Sequence, residues 1–133
     1  MTAKKHIIFV SVSVLVVLID QLVKFIVRRY FEFTKNYGAG FGLLQHQKWL
    51  LILIALVVIG VILFYYKKIP DVTSVRVFVA LVLGGVVGNL VDRIAFGYVT
   101  DFVRIWIWPA FNFADVASTA GVIGLIIYFL KKK

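Results

Sequence analysis

The chain has 133 residues, of which 62% are hydrophobic and only 16% are charged, and its net charge is +9. Soluble domains contain roughly 45–50% apolar and about 25% charged residues, so this composition excludes an ordinary water-soluble domain and a disordered tail. The length excludes two domains of normal size, the absence of cysteine excludes disulfides, zinc–thiolate sites and cysteine nucleophiles, and the two distant histidines, His6 and His46, argue against a histidine metal centre.

Four apolar runs follow one another along the chain. A membrane-spanning helix needs about 20 mostly apolar residues, and each run reaches or nearly reaches that length. The cations lie at the ends of the runs and not on one polar face, which argues against nucleic-acid binding. We therefore predict an all-α membrane protein that forms a single four-span domain over residues 1–133. The predicted transmembrane helices cover residues 6–27, 49–66, 75–95 and 114–130.

Two of the predicted connections contain further elements. Residues 28–35 have strand-like aromatic content, and the glycine-rich residues 36–42 are typical of a tight turn whose backbone can approach a ligand. They predict a small extracytoplasmic β/loop element between helices 1 and 2, with an ordinary connector as the alternative. Residues 98–109 alternate in part and carry Trp106 and Trp108, which predicts a short interfacial segment between helices 3 and 4.

The distribution of cations predicts the direction of the spans. In a four-span chain the two termini and the second connection lie on one side, and these segments hold eight of the fifteen lysines and arginines. The positive-inside rule then places both termini in the cytoplasm and the three tryptophans at the outer interface. The cations on the predicted cytoplasmic side are Lys4, Lys5, Lys67, Lys68, Arg76, Lys131, Lys132 and Lys133.

This topology brings four acidic residues to the outer third of the membrane. Asp20 and Asp92 lie in the outer parts of the first and third spans, Asp115 begins the fourth span, and Asp101 lies in the loop before it. A carboxylate near hydrocarbon is costly unless it is paired, so all four are candidate functional residues.

The third span carries a polar stripe. Gly85, Gly88, Asn89 and Asp92 follow helical spacing and share one face, and the glycines allow a neighbouring helix to approach closely. We therefore expect the stripe to face protein. Two interpretations stay open, a direct role in chemistry and a charge-balanced network that only holds helices in register. The residues concerned are Asn89, Asp92 and Arg93, with Asp20 and Lys24 on the first span.

Asp101 and Asp115 form the candidate catalytic pair. Taken alone, Asn112 and Asp115 read as an N-cap and a dipole-complementing acid of the fourth helix. The loop with Asp101, however, must fold back towards the same helix start. Two carboxylates at a partly dry surface tend to share one proton, so that one activates water while the other polarises a carbonyl. We expect Asp101 to hold that proton more often.

Five motifs in chain order complete the pattern, and together they resemble bacterial lipoprotein signal peptidase (signal peptidase II) over nearly the whole chain. The motifs are Asp20-Gln21-x-x-Lys24, Asn36-x-Gly38-Ala39, Gly84-Gly85-x-x-Gly88-Asn89-x-x-Asp92-Arg93, Val99-x-Asp101-Phe102 and Phe111-Asn112-x-Ala114-Asp115. One departure from the family is visible, because the stretch between Lys24 and Asn36 is shorter than the resemblance leads us to expect.

The resemblance implies an aspartic endopeptidase of the bacterial inner membrane. Such an enzyme removes the signal peptide from diacylglyceryl-modified prolipoproteins, cutting just before the lipidated cysteine, and cyclic peptide antibiotics such as globomycin inhibit it. The resemblance maps the catalytic dyad onto Asp101 and Asp115, with Asp92 as the competing first member, and implies no metal and no cofactor. The implied supporting or substrate-binding residues are Asp20, Lys24, Asn36, Gly38, Asn89, Asp92, Arg93, Asn112 and Ala114.

Two other functions are compatible with four apolar spans. A small transporter would use membrane carboxylates to bind cations or protons, but its site is expected near the midplane of the bilayer. A structural membrane subunit would have little use for four aspartates on the outer side. The clustering of the acids at one side therefore favours hydrolysis.

Overall fold

The computed structural model describes residues 3–133, so residues 1 and 2 of the predicted domain lie outside the described residues. Its four α-helices confirm the predicted order of helices, with ends that differ by one to three residues from the predicted spans. By length and composition α1, α3 and α4 can cross a membrane, whereas α2 has 17 residues and is shorter. The helices are α1 (Ala3–Tyr30), α2 (Lys48–Phe64), α3 (Thr73–Phe96) and α4 (Phe113–Lys131).

The ends of α3 and α4 follow from local chemistry. Gly97 ends α3 with a φ of 79°, a left-handed conformation that glycine adopts without steric cost, and its amide donates to the Arg93 carbonyl. Asn112 begins α4 with a capping box, in which its side chain accepts from the Asp115 amide and the Asp115 carboxylate accepts from the Asn112 amide. The N-cap predicted for Asn112 is therefore present, and it fixes the position of Asp115.

Helix α3 is the centre of the bundle, since it packs against all three other helices. The small residues predicted to allow close approach are buried on it, at positions 84, 85 and 88. Just before these glycines along α3, Ala80 and Leu83 form a buried apolar cluster with Phe9 of α1. Helix packing through small residues is the usual means of association in membranes, because lipid is as apolar as leucine.

Adding one methyl group at Gly84 is expected to loosen this packing. A Cβ atom there would lie 2.6 Å from the Val16 Cβ and 2.9 Å from the Ser13 carbonyl oxygen, so α1 would have to move. We expect Gly84→Ala to destabilise the fold by about 1–3 kcal/mol, which thermal unfolding in detergent measures. Gly60→Ala in α2 is the matched control, because nothing lies within 4 Å of its Cβ position. Equal melting temperatures for the two variants would contradict the packing argument.

Two short strands link the connection between α1 and α2 to the connection between α3 and α4. β1 (Thr34–Asn36) pairs antiparallel with β2 (Val99–Asp101), so that Thr34 lies opposite Asp101. The sequence predicts a β/loop element that is confined to the connection between α1 and α2. In the structure the element also includes a strand from the connection between α3 and α4. The strand expected over residues 28–35 is also wrong at its start, because residues 28–30 continue α1. Arg28 is held there by the ring of Phe96, 4.2 Å from its guanidinium carbon.

Candidate active site

The predicted site residues come together at one end of the bundle, where the last turns of α1 and α3 meet the first turn of α4 and both strands. Their side chains form one connected network with two halves. One half is an ion cluster around Lys24, and the other is a chain of amides that joins Asp101 to Asp115. Asn89 belongs to both halves, since its amide oxygen accepts from Lys24 and its amide nitrogen donates to Asp115.

Lys24 is the centre of the first half. Its ammonium lies 2.8 Å from an Asp20 oxygen and 3.3 Å from an Asp92 oxygen, and all three side chains are fully buried. It also donates to the Asn89 oxygen at 3.0 Å. Three buried charges that are paired in this way avoid the large cost of an isolated ion and fix α1 against α3. The pairing of Asp20 with Lys24 that the sequence indicated is therefore present.

Asp20 also ties the start of α4 to α1. The amide of Ala114 donates to Asp20 at 2.9 Å, which gives Ala114 its place in the site through its backbone. At Gly88 a Cβ atom would lie 2.5 Å from the other Asp20 oxygen, so any larger residue at this position would displace the carboxylate. The result is a three-helix junction at one carboxyl group.

Asp92 and Arg93 do not pair with each other, although they are neighbours in the sequence. Asp92 contacts Lys24 and accepts from the Thr100 amide at 2.9 Å, which anchors β2. Arg93 instead donates to the Gly38 carbonyl at 3.1 Å. The reason is the helix itself, because adjacent residues on a helix point about 100° apart and do not face each other.

Asn112 connects the two candidate catalytic carboxylates. Its side-chain nitrogen donates to Asp101 at 2.7 Å, and its backbone nitrogen donates to Asp115 at 3.1 Å. The same side-chain nitrogen donates to the Asn89 oxygen at 3.1 Å, and the Asn89 nitrogen donates to Asp115 at 2.9 Å. Within residues 3–133 no hydrogen bond joins Asp101 to Asp115 directly. The two groups are held by shared amides.

Both carboxylates line the same cavity, which has a volume of about 220 Å³. Asp101 is almost completely buried, whereas Asp115 is partly exposed. Arg93 adds a positive charge to the wall, and the rings of Phe41 and Trp108 meet edge to face at 5.3 Å. The cavity thus combines two acids, one cation and an apolar rim. Such a lining suits a mostly apolar ligand that carries a polar group near the two acids.

The pKa of the Asp101 carboxyl is raised to about 6. Burial is the main cause, because it penalises the charged form, and the negative charge of Asp115 adds to it. The side-chain amides of Asn36 and Asn112 act in the opposite direction, since they donate to the ionised carboxylate. A carboxyl group that changes charge near neutral pH is suited to proton transfer.

Gly38 shapes the loop that faces the two acids. Its amide donates to the Asn36 side-chain oxygen at 2.9 Å, which leaves the Asn36 nitrogen free to donate to Asp101. A Cβ atom on Gly38 would lie 2.5 Å from the Leu43 carbonyl oxygen, so a larger residue would open the turn. The backbone of this turn, with Arg93 on its carbonyl, therefore orients the Asn36 amide.

Three further residues of the network were not predicted as site residues, although Gln21 stands in one of the quoted motifs. Arg28 donates to the Thr100 hydroxyl at 2.9 Å and lies 3.7 Å from Asp92, while Gln21 donates to both Asp20 and Asp92. The spacing of Asp20, Lys24 and Arg28 at four-residue intervals places them on one face of α1 and could have indicated the second cation. Nothing in the sequence pattern indicates Thr100.

Comparison with known proteins identifies relatives over most of the chain. A family model described as signal peptidase (SPase) II matches residues 12–131. A lipoprotein signal peptidase of Halothermothrix orenii is 36% identical, covering 92% of this chain and 94% of the relative. A lipoprotein signal peptidase of Moorella thermoacetica is 39% identical, covering 86% of this chain and 87% of the relative.

Two solved structures share the fold. A bacterial membrane enzyme determined by the in meso method at 2.3 Å resolution superposes with a TM-score of 0.85 at 28% identity, covering 92% of this chain and 87% of the other. A second bacterial membrane enzyme, determined by the same method at 1.9 Å, gives a TM-score of 0.83 at 26% identity, with 94% of both chains covered. The arrangement of helices described above is therefore that of a known bacterial membrane enzyme fold.

Proposed function

Since the chain belongs to the signal peptidase II family, we propose that it is an aspartic endopeptidase that cleaves the signal peptide from diacylglyceryl-modified prolipoproteins, just before the lipidated cysteine. Membership of this family supports the general activity, that of a bacterial membrane peptidase that acts on the signal peptides of lipoproteins. The aspartic chemistry rests on one observation, that Asp101 and Asp115 line one cavity and are held there by Asn112.

In the proposed mechanism the two carboxyl groups share one proton. The ionised group accepts a proton from a water molecule, which attacks the carbonyl carbon of the scissile peptide bond. The protonated group polarises the carbonyl oxygen and then protonates the leaving amine. The raised pKa of Asp101 supports its assignment as the group that more often holds the shared proton. No metal and no cofactor enters this scheme.

Asp92 is the weaker candidate for the dyad. Its side chain is fully buried, both of its oxygens are occupied by partners on α1 and β2, and it does not line the cavity of Asp101 and Asp115. It therefore serves to position β2. The same reasoning makes Lys24 and Asp20 positioning residues, since their hydrogen bonds towards the dyad go through Asn89 and the start of α4, while the charge of Lys24 acts on Asp101 from a distance.

The proposed orientation in the bacterial inner membrane has four spans, both termini in the cytoplasm and the dyad near the outer face. Support comes from the cations of the termini and of the connection between α2 and α3. α2 would cross as the shortest span, with Trp49 at its outer end. In this orientation the apolar helix of the signal peptide and the acyl chains occupy a groove open to the bilayer, where cyclic peptide antibiotics such as globomycin would compete.

A gel-shift assay of a diacylated prolipoprotein with the purified chain tests the proposed activity. We expect the substrate band to be replaced by a band smaller by the mass of the signal peptide, and globomycin to prevent the change. A substrate that stays intact at high enzyme concentration, with correctly folded protein, would contradict the proposal.

The Asn36 side chain should set the pH dependence of cleavage. Its amide donates to the ionised Asp101 carboxylate at 3.0 Å, so Asn36→Ala removes a group that lowers the Asp101 pKa. The apparent pKa of the dyad in the kcat/KM profile is therefore expected to move to higher pH. Thr34→Ala on the same strand is the control, since the Thr34 hydroxyl accepts from Arg104 and not from the dyad. A shift to lower pH, or an equal shift in both variants, would contradict this role.

A further inference from the structure

Between β2 and α4 the chain forms a hairpin whose tip is apolar and exposed. Val103 and Phe111 form a bridge at its base, and the Trp108 amide donates to the Ile105 carbonyl at 2.9 Å to close a turn. Trp106 is 93% exposed and Ile107 is 79% exposed. Trp106 also has a φ of 47°, an unusual conformation for a bulky residue. The proposed proteolysis does not use any residue of this tip.

The apolar surface of the hairpin continues onto α4. Trp108 and Phe111 line a hollow of about 360 Å³ together with Val116 and Ile123 of α4. Ile123 lies eight residues after Asp115, which is about 12 Å further along the helix axis. The hairpin therefore lies against the side of a helix that is long and apolar enough to cross a membrane. Trp108 and Phe111 also line a second apolar hollow with residues 105–107, which makes the tip continuous with the exposed apolar side of α4.

Two exposed cations lie near the base of this apolar tip. Arg104, the residue before the turn, is exposed and donates to the Thr34 hydroxyl at 2.6 Å. Lys35 on the paired strand is also exposed, with its ammonium 5.1 Å from the centre of the Tyr98 ring. Exposed apolar side chains next to two cations match the boundary between acyl chains and anionic headgroups.

We propose that this hairpin inserts its tip, residues 105–107, into the adjacent leaflet of an anionic phospholipid bilayer, with Arg104 at the level of the headgroups. The hairpin begins two residues after Asp101 and ends one residue before Asn112. Insertion would therefore fix the height of both candidate catalytic carboxylates relative to the membrane surface. The proposal concerns a lipid contact and does not depend on proteolysis.

Tryptophan fluorescence tests the insertion directly. The variant Trp49→Phe/Trp108→Phe keeps Trp106 as its only tryptophan and is reconstituted in phosphatidylglycerol/phosphatidylcholine vesicles. Lipids brominated near the glycerol end of the acyl chain are expected to reduce Trp106 emission at least about twofold, and aqueous iodide to quench it far less than N-acetyltryptophanamide. Strong iodide quenching without bromine quenching would overturn the proposal. Quenching by neither agent would indicate cover by protein, such as a second copy, and would overturn it as well.

A second measurement keeps all the tryptophans in place. Because the chain has no cysteine, Ile107→Cys can be labelled with one environment-sensitive fluorophore. We expect its emission to shift to the blue in vesicles, whereas the same label at Lys133→Cys, at the exposed end of the chain, keeps the emission of the aqueous dye. Equal emission at the two sites would contradict insertion.

Discussion

Replacing either Asp101 or Asp115 by asparagine is expected to lower kcat/KM for a diacylated prolipoprotein by about 10³-fold or more. In the proposed mechanism the two carboxyl groups share one proton, and each variant removes one of these two groups. Because the proposed mechanism uses the two groups as one unit, the double variant should be about as slow as each single variant. Asparagine has nearly the size of aspartate, so the packing around either position should be kept. The contacts that the substitutions can weaken are the hydrogen bonds that Asn112 donates to the two carboxylates.

Two controls make this result specific. Asp71→Asn removes an exposed carboxylate that pairs with Lys5 at the other end of the bundle, and it is expected to leave cleavage unchanged. Thermal unfolding of each dyad variant in detergent establishes that the fold persists. Near-parental cleavage by a folded Asp101→Asn or Asp115→Asn variant would exclude that residue from the dyad. If the losses of the two single variants multiplied in the double variant, the two groups would act independently, which would contradict a dyad.

Removing the charge of Lys24 is expected to destabilise the fold more than any other single change considered. Lys24→Met leaves Asp20 and Asp92 buried next to each other without their shared cation, and breaking a buried pair in this way costs about 3–5 kcal/mol. Thermal or denaturant unfolding in detergent measures the loss. The second substitution Asp20→Asn in the same chain should restore part of it, because Asp20 is then neutral and Asp92 keeps the charge of Arg28 at 3.7 Å.

An exposed lysine on the same helix provides the control for this prediction. Lys4 is exposed on α1, and Lys4→Met should change the free energy of unfolding by no more than about 0.5 kcal/mol. If Lys24→Met unfolds like the parent, the buried cluster does not carry the stability assigned to it. If Asp20→Asn lowers stability further in the Lys24→Met chain, the two groups are not coupled through charge.

The helices could be predicted from the sequence because membrane hydropathy is a strong and local signal. The strands could not, since β1 and β2 have three residues each and their pairing depends on contacts about 65 positions apart in the chain. Residues 28–30 illustrate the limit. Their aromatic and arginine content resembles a strand, but the packing of Arg28 against Phe96 and Thr100 keeps them helical. Tertiary contacts outweigh local propensity at such a boundary.

For the site, the sequence indicated which residues would meet but not which partners they would choose. The convergence of Asp20, Asp92, Asp101 and Asp115 followed from topology, and the spacing of Asp20 and Lys24 indicated their pairing. The sequence could not show that Asp92 and Arg93 bind other partners instead of each other, because these partners depend on where β2 and the Gly38 turn lie. The bridging role of Asn112 was also hidden, since its backbone and side chain act on different carboxylates.

In the proposed mechanism a water molecule held between Asp101 and Asp115 cleaves one peptide bond of a lipidated substrate. Mass spectrometry of a single turnover in ¹⁸O-labelled water tests it most directly. We expect two products, a lipoprotein whose first residue is the diacylglyceryl cysteine and a signal peptide that carries one ¹⁸O atom in its new carboxylate. Cleavage at another bond, or a signal peptide released without the label, would contradict it.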